Sequence, residues 1–202
     1  MDKKQHWESI YENKSPEEVS WTQEVPEISL ELIDDIGLNK DDAIIDIGGG
    51  DSKLSDFLLD RGFTNITVLD ISVAALNRLK NRLGDRANQI KYVHSDILDF
   101  KSDTKYRLWH DRAAFHFLTE SEDIKKYKQI ASEAIDGQMI IGTFSESGPE
   151  KCSGLFIHQY GEKSMEQTFK EEFEKDKCII LDHQTPFNTI QNFIFCRFTR
   201  KE

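Results

Sequence analysis

Only three cysteines and four prolines occur among the 202 residues. The cysteines, Cys152, Cys178 and Cys196, are odd in number and lack metal-ligand spacing, which argues against a disulfide-stapled scaffold or a zinc site. They read as reduced thiols, with Cys178 and Cys196 acting as small apolar residues in strands. No Pro/Gly/Ser-rich linker, repeat or low-complexity tract divides the chain. No apolar run approaches membrane-spanning length, and the start, Met1-Asp2-Lys3-Lys4-Gln5-His6, has no apolar core of the signal-peptide kind. Positive charge is scarce: 26 Lys and Arg stand against 37 Asp and Glu, a formal net charge of −11. Such a surface repels phosphate backbones and anionic lipid, so neither nucleic acid nor membrane is expected as the main partner. The densest basic cluster, Lys125-Lys126-Tyr127-Lys128, sits on a helical pattern and reads as a solvated face. The expectation is one cytoplasmic α/β domain, for which this length suffices.

What is present is concentrated at Ile44-Ile45-Asp46-Ile47-Gly48-Gly49-Gly50-Asp51-Ser52. A buried strand delivers Asp46 to its carboxyl end, and the chain then turns through residues without side-chain bulk, so that backbone N–H groups approach a ligand closely. An amphipathic helix follows from Lys53. This is a nucleotide-binding β–α unit. Asp70 ends the next apolar run, Ile66 to Asp70, about 20 residues beyond the glycine turn, where an acid suits two ribose hydroxyls. Asp96 ends a third run from Ile90, and with Ile97 it suits an exocyclic amine and the face of an adenine. Three acids at successive strand ends share one crevice, because open α/β sheets bind ligands outside the carboxyl ends of their strands.

These residues resemble the class I methyltransferases that use S-adenosylmethionine. Asp46-x-Gly48-x-Gly50-x-Ser52 is similar to the family's acid-x-Gly-x-Gly-x-Gly, departing from it at Ser52. Asp70-Ile71-Ser72 resembles the ribose-binding acid with its apolar follower, and Ser95-Asp96-Ile97 the adenine-contacting acid. The resemblance runs from about Trp7 to Phe198. Trp109-His110-Asp111-Arg112-Ala113-Ala114-Phe115-His116-Phe117-Leu118 and Gly148 to Leu155 resemble a subgroup of small bacterial-type enzymes of unsettled substrate. It implies a three-layer Rossmann-like fold with a seven-stranded, mostly parallel sheet and an antiparallel last strand. It also implies the cofactor S-adenosyl-L-methionine, with S-adenosyl-L-homocysteine as product.

The spacing predicts strands at 43–47, 66–70, 90–94, 106–110 and 138–144, and helices at 52–61, 73–84 and 121–136. Lys177–Asp182 and Gln191–Thr199 form a closing hairpin. Residues 1–40, with Trp7, Trp21 and a helical pattern from Glu27 to Ile36, form either a lid over the crevice or a cover for the sheet edge. Residues 41–202 form the cofactor-binding domain.

The expected cofactor residues are Trp21, Asp46, Gly48, Gly50, Asp70, Ile71, Ser72, Asp96, Ile97 and Asp111. Asp111 lines the crevice or caps a helix, and the two are compatible. His116 suits a general base or a packed side chain. Arg112 clamps an anionic substrate or joins an internal salt bridge, with Phe144 and Cys152 as further substrate contacts; no metal is expected. The reaction implied is in-line methyl transfer to a small-molecule or protein side-chain nucleophile. The alternatives are a catalytically silent cofactor-binding partner subunit and, disfavoured by Asp46 and the hairpin, a nucleotide-dependent oxidoreductase.

Overall fold

The computed structural model describes residues 2–201, so Met1 and Glu202, the outer ends of the two expected segments, lie outside it. Five strands form the parallel body of the sheet: β1 (Ile44–Ile47), β2 (Ile66–Asp70), β3 (Ile90–His94), β4 (Tyr106–Arg112) and β5 (Ile135–Phe144). Two residue pairs, β6 (Lys151–Cys152) and β7 (Leu155–Phe156), make a small separate hairpin, and β8 (Phe173–Gln184) and β9 (Ile190–Arg200) complete the sheet. The order is β3-β2-β1-β4-β5-β9-β8, with β9 antiparallel to both neighbours. The expected topology and hairpin are therefore the observed ones.

The layers follow from helix amphipathicity. α2 (Glu27–Asp34), α3 (Leu54–Asp60) and α4 (Val73–Leu83) bury Leu32, Leu58, Leu76 and Leu79 on one face, against Ile44, Val68 and Leu108. On the other face α5 (Ser121–Ala134) and α6 (Glu162–Phe169) pack Tyr127, Ala131, Met165 and Phe169 onto Ile45, Trp109 and Ile141. β1 reads as continuous burial because both of its faces are covered. The remaining helix, α1 (Lys3–Asn13), lies over the carboxyl end of the sheet.

Three expectations require correction. The chain enters β5 at Ile135, directly from α5, whereas the helix was expected to reach 136 and the strand to begin at 138, and Gly137 is a strand residue. A Cβ there would meet the Arg107 carbonyl oxygen at 2.2 Å, so glycine is set by the approach of β4. α1 lies within the helical segment expected over 1–40 but outside its predicted Glu27–Ile36 pattern, and α6 was not predicted. Cys178 and Cys196 are disulfide-bonded and not reduced: β8–β9 pairing puts them directly opposite, with Cα atoms 4.1 Å apart. An odd cysteine count could not reveal that register. Cys152 remains a free, buried thiol.

Candidate active site

The glycine turn is built for packing around acids. Asp46 is buried, and its Oδ1 lies 2.7 Å from His110 Nδ1, whose Nε2 lies 2.9 Å from Ser29 Oγ on α2. Its Oδ2 is buried with no hydrogen-bond partner. A Cβ on Gly49 would meet that oxygen at 2.2 Å. Gly48 has φ +66°, and a Cβ there would press on the Ala114 Cβ at 2.9 Å, from the turn after β4. At Gly50 a Cβ would strike Ala75 and Asp70 Oδ2 at 2.5 Å. Gly50 thus serves the approach of its own N–H to Asp70, and does not line a cavity as expected. Ser52, where the third glycine was missing, accepts from the Leu54 N–H at the start of α3.

Asp70 is held by backbone on both oxygens: Gly50 N–H donates to Oδ2 at 3.0 Å and Ser72 N–H to Oδ1 at 2.8 Å. Burial lifts its carboxyl to about 6, against the lowering pull of those two N–H groups. Each oxygen keeps a second lone-pair direction, which a pair of ligand hydroxyls can use. Ser72 is fully buried and off both cavities described below, contrary to expectation; its Oγ accepts from Ala75 N–H to cap α4 and donates to Glu8 on α1. Asp96 accepts from the Leu98 N–H at 2.9 Å, which fixes its carboxylate beside Ile97.

After β4 the chain turns sharply through Ala113, which holds φ +63° without being glycine. Such strain costs roughly 1–3 kcal/mol and persists only where neighbours enforce it. Asp111 does that. Its Oδ1 accepts from the Ala114 and Phe115 N–H groups, and its Oδ2 from the Tyr127 hydroxyl at 2.7 Å, which itself accepts from Trp109 Nε1. Burial raises the Asp111 carboxyl to about 6. It is wholly enclosed and lines neither cavity, so the expected cofactor contact and catalytic role give way to its capping role. His116 is likewise enclosed; burial and then the Arg112 charge push its imidazole down to about 3. A ring with no access to either cavity and so little basicity does not fit the expected general base. Phe144, expected at the substrate, packs beneath the sheet end against His116 and Phe193.

Two cavities meet over this end of the sheet. The first, of ≈130 Å³, brings together Asp70, Ile71, Asp96 and Ile97 with Gly48, Trp21, Arg112 and Cys152. Its roof is aromatic: Trp7 lies edge-on to Phe117 (4.9 Å between centroids) and to Trp21 (5.8 Å), with Tyr11 beside Trp7 and Trp21. The second, of ≈450 Å³, runs under residues 16–26 along Asp46, Gly48, Gly49, His110 and Arg112. Tyr11, Trp21, Gly48 and Arg112 border both. Burial raises the Cys152 thiol to about 11 and holds the Tyr11 phenol well above its usual range, so both stay protonated near neutrality.

The roof is tied down by contacts no local pattern reveals. Glu8 accepts from Ser72 Oγ and from Ala74 N–H, at the start of α4. The Ser20 carbonyl oxygen lies 2.8 Å from His183 Nε2, and Arg112 Nη1 donates to the Trp21 carbonyl at 2.9 Å. Among the described residues no group of His, Cys, Asp or Glu is arranged to hold a metal ion, and no helix is long and apolar enough to cross a membrane.

Residues 44–134, from β1 through α5, match the family model described as a methyltransferase domain. Comparison with curated proteins gives no match. Among solved structures, the N-methyltransferase NodS of Bradyrhizobium japonicum, in complex with S-adenosyl-L-homocysteine, is 17% identical over all of both chains, with a TM-score of 0.76. A S-adenosylmethionine-dependent methyltransferase of Anabaena variabilis is 16% identical, covering 100% of this chain and 96% of its own, at 0.76. The 1,6-didemethyltoxoflavin-N1-methyltransferase of Burkholderia thailandensis is 12% identical, covering 98% and 87%, at 0.74. At these identities the likeness is one of fold, and the family match concerns residues 44–134. Residues 44–134 thus match a methyltransferase domain, and the whole chain shares the fold of solved S-adenosylmethionine-dependent methyltransferases.

Proposed function

We propose that the protein transfers the methyl group of S-adenosyl-L-methionine to a nucleophilic atom of a small molecule. The observation that carries this reading is the first cavity, where Asp70 with Ile71 and Asp96 with Ile97 converge from the ends of β2 and β3. Ionised Asp70, already oriented by two N–H groups, takes the ribose hydroxyls; Asp96 accepts from the adenine amine while Ile71 and Ile97 flank the ring. The orphaned Oδ2 of Asp46 offers a buried acceptor to the cofactor's ammonium group. When bound, the cofactor supplies an electrophilic methyl on a sulfonium whose departure leaves a neutral thioether.

What remains for the chain is to position, to exclude water and to leave the nucleophile in its basic form. Trp7, Tyr11, Trp21 and Phe117 close the cavity with aromatic faces and edges, surfaces that suit a sulfonium. Since His116 and Asp111 are walled off, the acceptor is one that presents its own basic atom, such as a neutral amine or an ionised oxygen or sulfur. Cys152, on the wall of the first cavity, is a contact for it and not a nucleophile.

The test is calorimetric titration with S-adenosyl-L-homocysteine and, separately, NAD, followed by an acceptor panel read by homocysteine-product release. Binding of the first ligand only, with turnover on an amine-, oxygen- or sulfur-bearing small molecule, is expected. Binding of NAD in its place would overturn the reading.

A further inference from the structure

Arg112 is a part-buried residue whose guanidinium is in want of an anion. Its Nη1 is occupied by the Trp21 carbonyl, and its flat face lies 5.4 Å over the Phe193 ring. Its Nε and Nη2 are buried with no acceptor, and no carboxylate of the described residues makes an ion pair with it. Those two nitrogens share one edge of the planar group, the edge whose parallel N–H bonds match the two oxygens of a carboxylate. A buried charge left so is costly, and burial shows in the lowering of this guanidinium to about 10.

The position of this edge matters as much as its vacancy for an acceptor. Arg112 borders both cavities, as does Gly48, and Asp46 borders the second with its own unpartnered oxygen. An unpaired acceptor and an unpaired donor edge, flanking one glycine turn, match a zwitterion: an ammonium for Asp46 and a carboxylate for Arg112. We propose that the Nε–Nη2 edge of Arg112 is the receptor for the α-carboxylate of the cofactor, and that the same side chain latches the roof through Trp21. This rests on the methyltransferase reading and adds to it. Arg112, expected to clamp an anionic substrate, serves the cofactor instead, and the roof turn at Ser20 and Trp21 is fastened most firmly when that carboxylate is in place.

Two ligands that differ in the amino-acid end test it: S-adenosyl-L-homocysteine and 5′-methylthioadenosine, which keeps the adenosine and thioether and lacks the carboxylate. Both should bind the wild-type protein. Arg112→Gln should bind 5′-methylthioadenosine within about threefold of wild type and the homocysteine compound at least about 30-fold more weakly, the range of a charge-assisted pair. Arg112→Lys, which keeps the charge and loses the fork, should fall between. Should a variant fail to fold, decarboxylated S-adenosylhomocysteine on the wild-type protein reads the same contact and should bind at least about 30-fold more weakly than its parent. In wild type, amide exchange across residues 19–22 should slow with the homocysteine compound and not with 5′-methylthioadenosine. Unchanged affinity for the homocysteine compound in Arg112→Gln, an equal loss of both ligands, or full-strength binding of the decarboxylated compound overturns the proposal. A wild-type protein that binds neither adenosine ligand would instead sink the methyltransferase reading itself.

Discussion

The floor and the roof of the site are made in opposite ways. On the floor, each acid is set by residues close to it in sequence or by the neighbouring strand: Asp70 by Ser72 and Gly50, Asp96 by Leu98. In the roof, the fastening contacts join Glu8 to Ala74, Trp21 to Arg112 and Ser20 to His183, pairs brought together only by the finished fold. A floor of this kind is rigid before any ligand arrives, because backbone N–H groups in a packed turn have nowhere else to go. The roof depends on a few polar contacts and on half-buried indoles. The lesson is that affinity should reside mainly below and closure above.

The largest expected effect tests the floor. Asp70→Ala should weaken S-adenosyl-L-homocysteine binding by roughly 1.5–3 kcal/mol in calorimetry, and should do so with the roof intact. An unaltered affinity would move the ribose site elsewhere. Next in size, Gly50→Val should destabilise the fold by roughly 1–3 kcal/mol, because its Cβ would overlap Ala75 and Asp70. Thermal unfolding would read this, and a variant as stable as wild type would show that α4 can shift.

A pH series sharpens the contrast further. A carboxyl raised to about 6 in the fold, against an ordinary value near 4 unfolded, favours the folded state in its protonated form. The stability this contributes is present below pH ~4 and is lost as pH rises through 6. Ligand hydroxyls need the ionised form, so cofactor affinity should change the other way, falling as pH drops below about 6. Asp70→Asn should flatten that profile; a profile that persists in the variant would assign it to another group.

The smaller effects belong to the roof. Trp7→Ala removes the ring that meets Phe117 and Trp21, and should lower homocysteine-compound affinity severalfold with little change in melting temperature. Tryptophan fluorescence should report ligand binding in wild type and less so in the variant. Smallest of all, Ser72→Ala loses the α4 cap and the Glu8 contact, costing about 1 kcal/mol of stability while ligand affinity changes less. A loss of affinity on the scale of Asp70→Ala would return Ser72 to the ligand.

This division also explains what the sequence made legible. Strand ends carrying acids after apolar runs are local patterns, so Asp46, Asp70 and Asp96, the parallel body and the closing hairpin could be read directly. α1 could not, because its faces are weakly contrasted and Tyr11 is its one buried residue. The enclosure of Asp111, His116 and Phe144 was not legible for a common reason: proximity to a strand end in sequence does not say which face a side chain takes. β4 alternates, so that Arg112 and His110 border the second cavity while Asp111 points to Tyr127 on the α5 side. No pattern in the sequence pairs Glu8 with Ser72 or Cys178 with Cys196.

The way the roof is tied has a consequence for turnover. If the roof opens in every cycle to admit cofactor and let spent product leave, the contacts of Glu8, Arg112 and His183 to their partners would be made and unmade at the pace of catalysis. A chemical step that needs only alignment can be fast, and opening would then set the steady rate. Such a protein would form its first equivalent of methylated product in a rapid burst and slow afterwards. Loosening Ser20 or Trp21 would quicken the slow phase even as it weakened the hold on the cofactor.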